Sequence, residues 1–140
     1  MKIADSMTRH VRVATPDQSI REAAQLMAEL GAGTLPVRDQ DRLVGMITDR
    51  DIAVRAVAEG KSPDTRIQDV MTRDVKYCFD DDELEDVARN MADIQVRRLP
   101  VVNRDKRLVG IIALSDIAAA EDAGVVGDAV SGISEPSRQR

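Results

Sequence analysis

Aromatic residues are almost absent from this chain of 140 residues, which contains one Tyr, one Phe and no Trp. Proteins that bind single-stranded nucleic acids usually stack bases on several exposed rings. Positive charge is also in short supply, since 25 acidic residues outnumber 20 basic ones and leave a net charge of -5. Because phosphate neutralisation needs a basic face, the sequence predicts no nucleic-acid partner.

Cysteine and histidine are equally scarce, with Cys78 and His10 as the only examples. An internal disulfide is therefore excluded, and so is a metal site built from clustered thiolates or imidazoles. The sequence shows no nucleophile beside a base and no glycine-rich phosphate loop. We accordingly expect no catalytic residues, no metal ligands and no enzymatic activity.

Long apolar runs are missing as well, although apolar residues make up 43% of the chain. No stretch reaches the roughly eighteen consecutive apolar residues that a membrane span needs, and the N-terminus lacks the pattern of a signal peptide. We therefore expect a cytoplasmic protein with an aliphatic core and no membrane association.

What the sequence does contain is one pattern written twice. The stretch "GMITDRDI" at 45–52 returns as "GIIALSDI" at 110–117. Three shorter motifs also recur, namely "MTR" at 7–9 and 71–73, "LPV" at 35–37 and 99–101, and "LVG" at 43–45 and 108–110. The repetition predicts a first repeat at 7–60, a linker at 61–66, a second repeat at 67–124 and a C-terminal tail at 125–140.

Each copy has the local signals of a strand, a helix, two strands and a closing helix. In the first copy Ser19 and Glu22 have the spacing of a capping box, and Gly31 marks the helix end. Two apolar runs joined by a polar turn then predict a hairpin, followed by a helix from about Asp49 that ends at Gly60. The runs "VRVAT" at 11–15 and "VKYCF" at 75–79 predict one further strand per copy.

The spacing of apolar residues predicts which helix faces are buried. The expected buried positions of the first helix are Ile20, Ala23, Ala24, Met27 and Leu30, and those of its counterpart are Leu84, Val87, Ala88 and Met91. Asp82 and Glu85 are expected at the start of that second helix. One repeat alone is too small to bury enough surface. We therefore predict an α/β (α+β) fold of two repeats packed sheet to sheet with pseudo-twofold symmetry.

These motifs resemble those of a tandem pair of CBS domains, often called a Bateman module. The resemblance covers roughly residues 7–123 and is closest to small stand-alone bacterial CBS-pair proteins, including those of the hypoxic-response type. It implies a regulatory module that binds an adenosine-containing ligand, namely AMP, ADP, ATP or S-adenosylmethionine, in a cleft between the repeats, and that requires no cofactor. It also implies a homodimer, with any output passing through an unidentified effector protein.

The end of "GMIT" carries the candidate ligand chemistry. Thr48 would cap the closing helix, where unpaired backbone amides attract anions, and Asp51 lies one turn further on. A carboxylate there accepts hydrogen bonds from both hydroxyls of a ribose. The same spacing also fits a simple capping box, in which Thr48 and Asp51 only stabilise the helix. The family pattern of Thr or Ser followed by Asp favours the ligand interpretation.

The second copy lacks this hydroxyl, because Ala113 stands at the matching position. Asp116 is therefore the weaker candidate for ribose binding. Upstream of the "LPV" strand, however, only the second copy carries Arg97 and Arg98, which by analogy with related modules would contact the phosphate of a ligand held by Thr48 and Asp51. Guanidinium groups suit that task because they offer several fixed donors.

Three further residues complete the predicted ligand site. Val13 and Ala14 belong to the strand that lines the adenine side in the family, and Arg50 is a secondary phosphate contact. The recurring Gly45 and Gly110 are interpreted as part of the turn from strand to closing helix. The alternative function is a ligand-free scaffold for dimerisation or protein interaction, formed by apolar residues of the closing helices, namely Ile52, Ala56, Val57, Ile117 and Ala120.

Overall fold

A computed structural model describes residues 1–122, and the predicted tail at 125–140 lies outside them. The described chain forms two compact units that do not coincide with the two repeats. One unit is the continuous segment Arg12–Val75, and the other combines Met1–Val11 with the chain from Lys76 onward. The predicted repeat boundaries remain a proposal about the sequence, whereas the units describe which segments pack together.

The continuous unit contains the first predicted hairpin. Helix α1 spans Ile20–Leu30, strand β1 spans Thr34–Asp39 and strand β2 spans Arg42–Thr48. The two strands are antiparallel, with Thr34 opposite Thr48. A wide-turned π-helix follows at Asp51–Val57, and a short 3-10 helix lies at Ile67–Asp69. The hairpin and the two helices of the first copy were therefore correctly predicted, but the π-helical winding was not.

Helix α1 begins and ends at the predicted residues. The side chain of Ser19 accepts a hydrogen bond from the backbone N–H of Glu22 (3.1 Å), and Gly31 ends the helix at a φ of 64°. Its buried face is narrower than predicted and consists of Ile20, Ala23 and Met27. Ala24 and Leu30 are exposed, whereas Leu26, which was not predicted, is partly buried against the core.

The discontinuous unit contains the second hairpin. It comprises a 3-10 helix at Ile3–Asp5, β3 at Cys78–Phe79, α2 at Leu84–Ile94, β4 at Arg98–Val102, β5 at Leu108–Ala113 and α3 at Leu114–Asp122. Strand β3 is parallel to β4, and β4 is antiparallel to β5. All four predicted core residues of α2 are buried. Asp82 and Glu85 lie at the start of α2 as predicted: Glu83 occupies the N-cap position, Glu85 is in the first turn, and the Asp82 carboxylate accepts the N–H of Phe79 (2.9 Å).

The further strand predicted for each copy is shorter than its apolar run. In the first copy only Ala14 pairs with β1, through a parallel bridge to Val37. The pairing stops there because the N–H of Thr15 donates to the Gln18 side chain (2.9 Å) and Pro16 has no N–H to donate. In the second copy the strand is reduced to Cys78–Phe79.

The outer edge of each hairpin is covered by residues from the start of the other repeat. Thr72 forms an antiparallel bridge with Met46 of β2, and Thr8 forms the same bridge with Ile111 of β5. A Cβ atom on Gly45 would lie 2.8 Å from the carbonyl oxygen of Thr72, and one on Gly110 would lie 2.8 Å from that of Thr8. These glycines therefore recur because another backbone approaches the strand closely, and their interpretation as part of a strand-to-helix turn was wrong.

Each unit has its own aliphatic core, to which its edge-covering segment contributes. In the continuous unit the fully buried large side chains are Leu35, Val37, Ile47, Ile67 and Val70. In the discontinuous unit they are Ile3, Leu84, Met91, Leu99, Ile112 and Ile117. Across residues 1–122 no helix has both the length and the apolar character needed to cross a membrane.

Candidate functional site

The junction of β2 with the following helix is closed by two reciprocal hydrogen bonds. The N–H of Asp51 donates to Thr48 Oγ1 (2.9 Å), and the N–H of Thr48 donates to Asp51 Oδ2 (3.1 Å). The two predicted ligand residues therefore lie together and form a capping box. The carboxylate of Asp51 is the one charged group in the described chain that is classed as buried, with 8% of the residue exposed.

The backbone amides around this capping box already have partners. The N–H of Asp49 donates to the carbonyl of Gly33 (2.9 Å), and the N–H of Arg50 donates to the Asp49 side chain (2.8 Å). Together with the amides of Thr48 and Asp51, four consecutive N–H groups are satisfied within the protein. The prediction of unpaired amides that attract an anion is therefore wrong for these residues, and the carboxylate is the main polar feature of the site.

Two residues that the sequence reasoning missed also reach Asp51. The hydroxyl of Thr72 lies 3.3 Å from Oδ1 and 3.4 Å from Oδ2, and the guanidinium of Arg55 lies 3.8 Å from Oδ1. Arg55 is one helical turn after Asp51, a spacing that was available as a signal. Thr72 belongs to the repeated "MTR" motif, but nothing local indicates that its hydroxyl faces a carboxylate 21 residues away.

The matching site in the other unit is simpler. The N–H of Ala113 donates to Asp116 Oδ2 (2.8 Å), so this half of the capping box is preserved. The other half is missing because Ala113 has no hydroxyl. In the repeat alignment Ala120 stands where the first copy has Arg55, and Thr8, the counterpart of Thr72, is exposed. Asp116 is thus placed like Asp51 but lacks three of its polar neighbours.

Arg97 and Arg98 lie at the entry to β4, in the discontinuous unit. Arg98 is exposed and pairs with Ala113 across the sheet. The carbonyl of Arg97 accepts the N–H of Leu114 (2.7 Å), and its buried Nε atom has no hydrogen-bond partner among the described residues. The predicted contact of these arginines with a ligand phosphate stays a prediction.

The acidic run at 80–86 is paired by other residues. Arg104 donates two hydrogen bonds to Asp81 (2.9 and 2.7 Å), and Lys2 donates one to Glu83 (2.6 Å). The hydrogen bond from Arg104 lowers the pKa of the Asp81 carboxyl, and that from Lys2 lowers the pKa of Glu83. Within residues 1–122 neither Arg97 nor Arg98 forms an ion pair with this run.

The remaining predicted contacts are spread over the continuous unit. Arg50 is exposed on the first turn of the helix, and Val13 is half-buried. Ala14 is buried and uses both backbone groups in the bridge to β1, since its N–H donates to Pro36 (2.9 Å) and its carbonyl accepts from Arg38 (2.8 Å). Ala14 therefore has little left to offer a base, and Val13 is the better placed of the pair.

The apolar residues of the closing helices divide into two groups. Ala56, Ile117 and Ala120 are buried in the cores of their own units and Ile52 is partly buried against one of them, so the prediction that these four pair with another molecule is not supported by their positions. Val57 is 67% exposed and Val54 is 46% exposed. Any interaction surface on these helices is therefore centred on the π-helix.

Cys78 is buried in the core of its unit and lies 3.9 Å from the carbonyl oxygen of Pro100. Burial, with a smaller contribution from Asp82, raises the pKa of the thiol to about 12.

In the region from residue 1 to residue 122, no group of three or more His, Cys, Asp or Glu side chains is arranged to hold a metal ion.

The raised pKa predicts a slow reaction of Cys78 with alkylating reagents. Because only the thiolate reacts, iodoacetamide at pH 8 should modify the folded protein at least about a hundredfold more slowly than an exposed thiol. Mass spectrometry of samples with and without guanidinium measures this ratio. Equal rates in the two samples would show that the thiol is accessible and ionised in the folded state.

Comparison with known proteins identifies the family of this fold. The CBS domain model matches residues 3–57 and 67–122. Hypoxic response protein 1 of Mycobacterium tuberculosis is 39% identical over 116 residues, which cover 81% of this chain and 80% of that protein.

Two solved structures with bound ligands are also similar. CBSX2 in complex with AMP has a TM-score of 0.76 and 29% identity, covering 87% of this chain and 96% of that one. The CBS domain pair of MJ0100 in complex with 5'-methylthioadenosine and S-adenosyl-L-methionine has a TM-score of 0.72 and 30% identity, covering 89% and 98%. The two repeats, each with an Asp at the start of its closing helix, therefore form a tandem pair of CBS domains. The chain is a member of the CBS-domain family.

Proposed function

We propose that this protein is a regulatory, non-catalytic module that binds an adenosine-containing ligand, such as AMP, ADP, ATP or S-adenosylmethionine, through Asp51. The observation that carries the proposal is a buried carboxylate held in place by the Thr48 capping box. AMP in CBSX2 and S-adenosyl-L-methionine in MJ0100 support the adenosine class.

Asp51 suits a ribose better than a phosphate. An ionised carboxylate only accepts hydrogen bonds, and its two oxygens match the two hydroxyls of a ribose. The neighbouring amides are already paired, so they add little attraction for an anion. The phosphate is therefore left to the arginines, namely Arg97, Arg98 and, on the exposed first turn, Arg50. Val13 and Ala14 would line the adenine side, as in the predicted site.

The two Asp residues are not equivalent in this proposal. Asp51 has a hydroxyl from Thr48, a second from Thr72 and the guanidinium of Arg55 close by. Asp116 has only the N–H of Ala113 at hydrogen-bonding distance in the described chain. We therefore assign the stronger ligand site to Asp51 and a weaker one to Asp116.

A second function, a scaffold for dimerisation or for an effector protein, is favoured by one specific observation. Val54 and Val57 are exposed on the π-helix, although large aliphatic side chains are usually covered. Under this alternative the capping box is purely structural. A homodimer is compatible with both functions, and a cytoplasmic location stays a prediction.

Thermal denaturation with a ligand panel separates these functions. A ligand present at about a hundred times its dissociation constant adds about 2.7 kcal/mol to stability, which should raise the Tm by several degrees. AMP, ADP, ATP and S-adenosylmethionine are the test ligands, and GMP and ribose-free adenine are the controls. If no adenosine ligand shifts the Tm even at millimolar concentration, the scaffold function replaces the ligand-binding function.

A further inference from the structure

The segment Ile67–Thr72, here called the edge segment, is anchored in the core by Ile67 and Val70, and its last residue, Thr72, pairs with the outer edge of β2. The N–H of Met46 donates to the carbonyl of Thr72 and the N–H of Thr72 donates to the carbonyl of Met46, both at 2.8 Å. The discontinuous unit has an equivalent arrangement, in which Thr8 and Ile111 exchange hydrogen bonds of 2.8 and 2.9 Å. The two units therefore have equivalent backbone bridges, and each can serve as a control for the other.

Of the two bridging segments, only the edge segment has a side-chain link to a closing helix among the described residues. The hydroxyl of Thr72 contacts both oxygens of Asp51 at 3.3 and 3.4 Å. Arg55 forms a second link, because its guanidinium donates to the carbonyl of Met71 (3.2 Å) while lying 3.8 Å from Asp51. The carboxylate of Asp51 is thus connected to the edge segment by two routes.

The Thr72 link is well suited to being replaced. A strong O–H···O hydrogen bond measures about 2.7 Å, so the contacts at 3.3 and 3.4 Å are weak. The hydroxyl also faces both carboxylate oxygens at once, which is the approach that the two hydroxyls of a ribose would need. A ribose hydroxyl on this side of the carboxylate would compete with the Thr72 hydroxyl for the same oxygen lone pairs.

We propose that Asp51 holds the edge segment against β2 through Thr72, and that a ligand whose hydroxyls bind Asp51 releases it. The ligand half rests on the proposed function, whereas the holding of the segment does not. The edge segment is separated by residues 73–75 from the point where the chain enters the other unit at Lys76. Ligand binding at Asp51 would therefore make the chain that joins the two units less ordered. That change is how the module would signal that the ligand is bound.

Amide hydrogen exchange in the ligand-free protein tests the first half. Thr72→Val keeps the size and the branching of the side chain but removes the hydroxyl. Loss of a weak hydrogen bond to a carboxylate should speed exchange at the Met46 and Thr72 amides about fivefold. Thr8→Val is the matched control, and it should change exchange at the Thr8 and Ile111 amides by less than about twofold. Asp51→Asn, which keeps an acceptor for the Thr48 N–H, should resemble Thr72→Val.

Saturation of the unsubstituted protein with AMP tests the second half. Exchange at the Met46 and Thr72 amides should accelerate relative to the Thr8 and Ile111 amides. Adding AMP to the Thr72→Val variant should cause no further acceleration at residues 46 and 72. Bound AMP without such acceleration overturns the release, and unchanged exchange in both Thr72→Val and Asp51→Asn overturns the holding by Asp51. If AMP does not bind and no other adenosine ligand does, the proposed function and the ligand half fail together, and exchange in the variants still decides whether Asp51 holds the segment.

Discussion

Replacing Gly110 or Gly45 by Ala is expected to lower the free energy of unfolding by about 2–3 kcal/mol in each case. A Cβ atom at either position would lie 2.8 Å from a backbone carbonyl oxygen, of Thr8 or of Thr72. Backbone atoms held in a bridge cannot move aside as a flexible side chain can. The strand and its edge-covering segment must therefore separate, which also weakens the hydrogen bonds between them. Urea denaturation followed by circular dichroism measures the loss.

Gly33 provides the control for this substitution. A Cβ atom there would lie 2.7 Å from Asp49 Oδ2, which is an even closer approach. Asp49 is exposed, however, so its carboxylate can rotate into solvent and water can replace it as the acceptor for the Arg50 N–H, and Gly33→Ala should cost less than about 1 kcal/mol. Similar losses at Gly33, Gly45 and Gly110 would show that the close backbone approach is not what requires glycine.

Replacing Asp51 by Ala is expected to weaken the binding of an adenosine ligand by at least about a hundredfold, and replacing Asp116 less than about threefold. The difference arises because only Asp51 lies beside the hydroxyls of Thr48 and Thr72 and the Arg55 guanidinium. Each hydrogen bond between a ribose hydroxyl and a carboxylate is worth about 1.5–3 kcal/mol, and Ala removes both. Isothermal titration calorimetry measures the two dissociation constants.

Thr48→Ala separates the ligand contact from the helix cap. It removes the hydroxyl that accepts the N–H of Asp51 but leaves the carboxylate, and so reproduces the arrangement around Ala113. A cap lost in this way costs about 1 kcal/mol of stability, so each variant needs its own denaturation curve. Equal affinity losses in Asp51→Ala and Asp116→Ala would remove the proposed difference between the two sites.

The parts of the fold that were predicted correctly depend on neighbours in the sequence. The hydrogen bond at Ser19, the positive φ of Gly31 and Gly60, and the buried face of α2 all follow from spacings within one or two helical turns. The two hairpins also join adjacent runs, so alternation and turn residues were enough to place them.

The parts that were missed depend on distant segments or on small differences in winding. Thr72 reaches Asp51 across 21 residues, and no periodicity in the sequence encodes that contact. The π-helix at Asp51–Val57 is too short for its apolar pattern to be distinguished from that of an α-helix. The paired amides at 48–51 were missed because the partner of Asp49 is the carbonyl of Gly33, which precedes β1 and faces Asp49 across the open end of the hairpin.

The packing of residues 1–11 with the chain beyond Lys76 has a consequence for the order of folding during synthesis. Every segment of the continuous unit emerges from the ribosome in one stretch, so its core can form while the rest is still being made. The other unit needs Ile3 in the same core as Leu84 and Ile112, and it must wait for both ends of the chain. The chain between its two parts, Arg12–Val75, is by then a folded unit. Less flexible chain remains to be ordered, so the entropy cost of bringing the two parts together is lower. The unit that carries Asp51 is therefore expected to fold first. Once folded, it connects the two parts of the other unit.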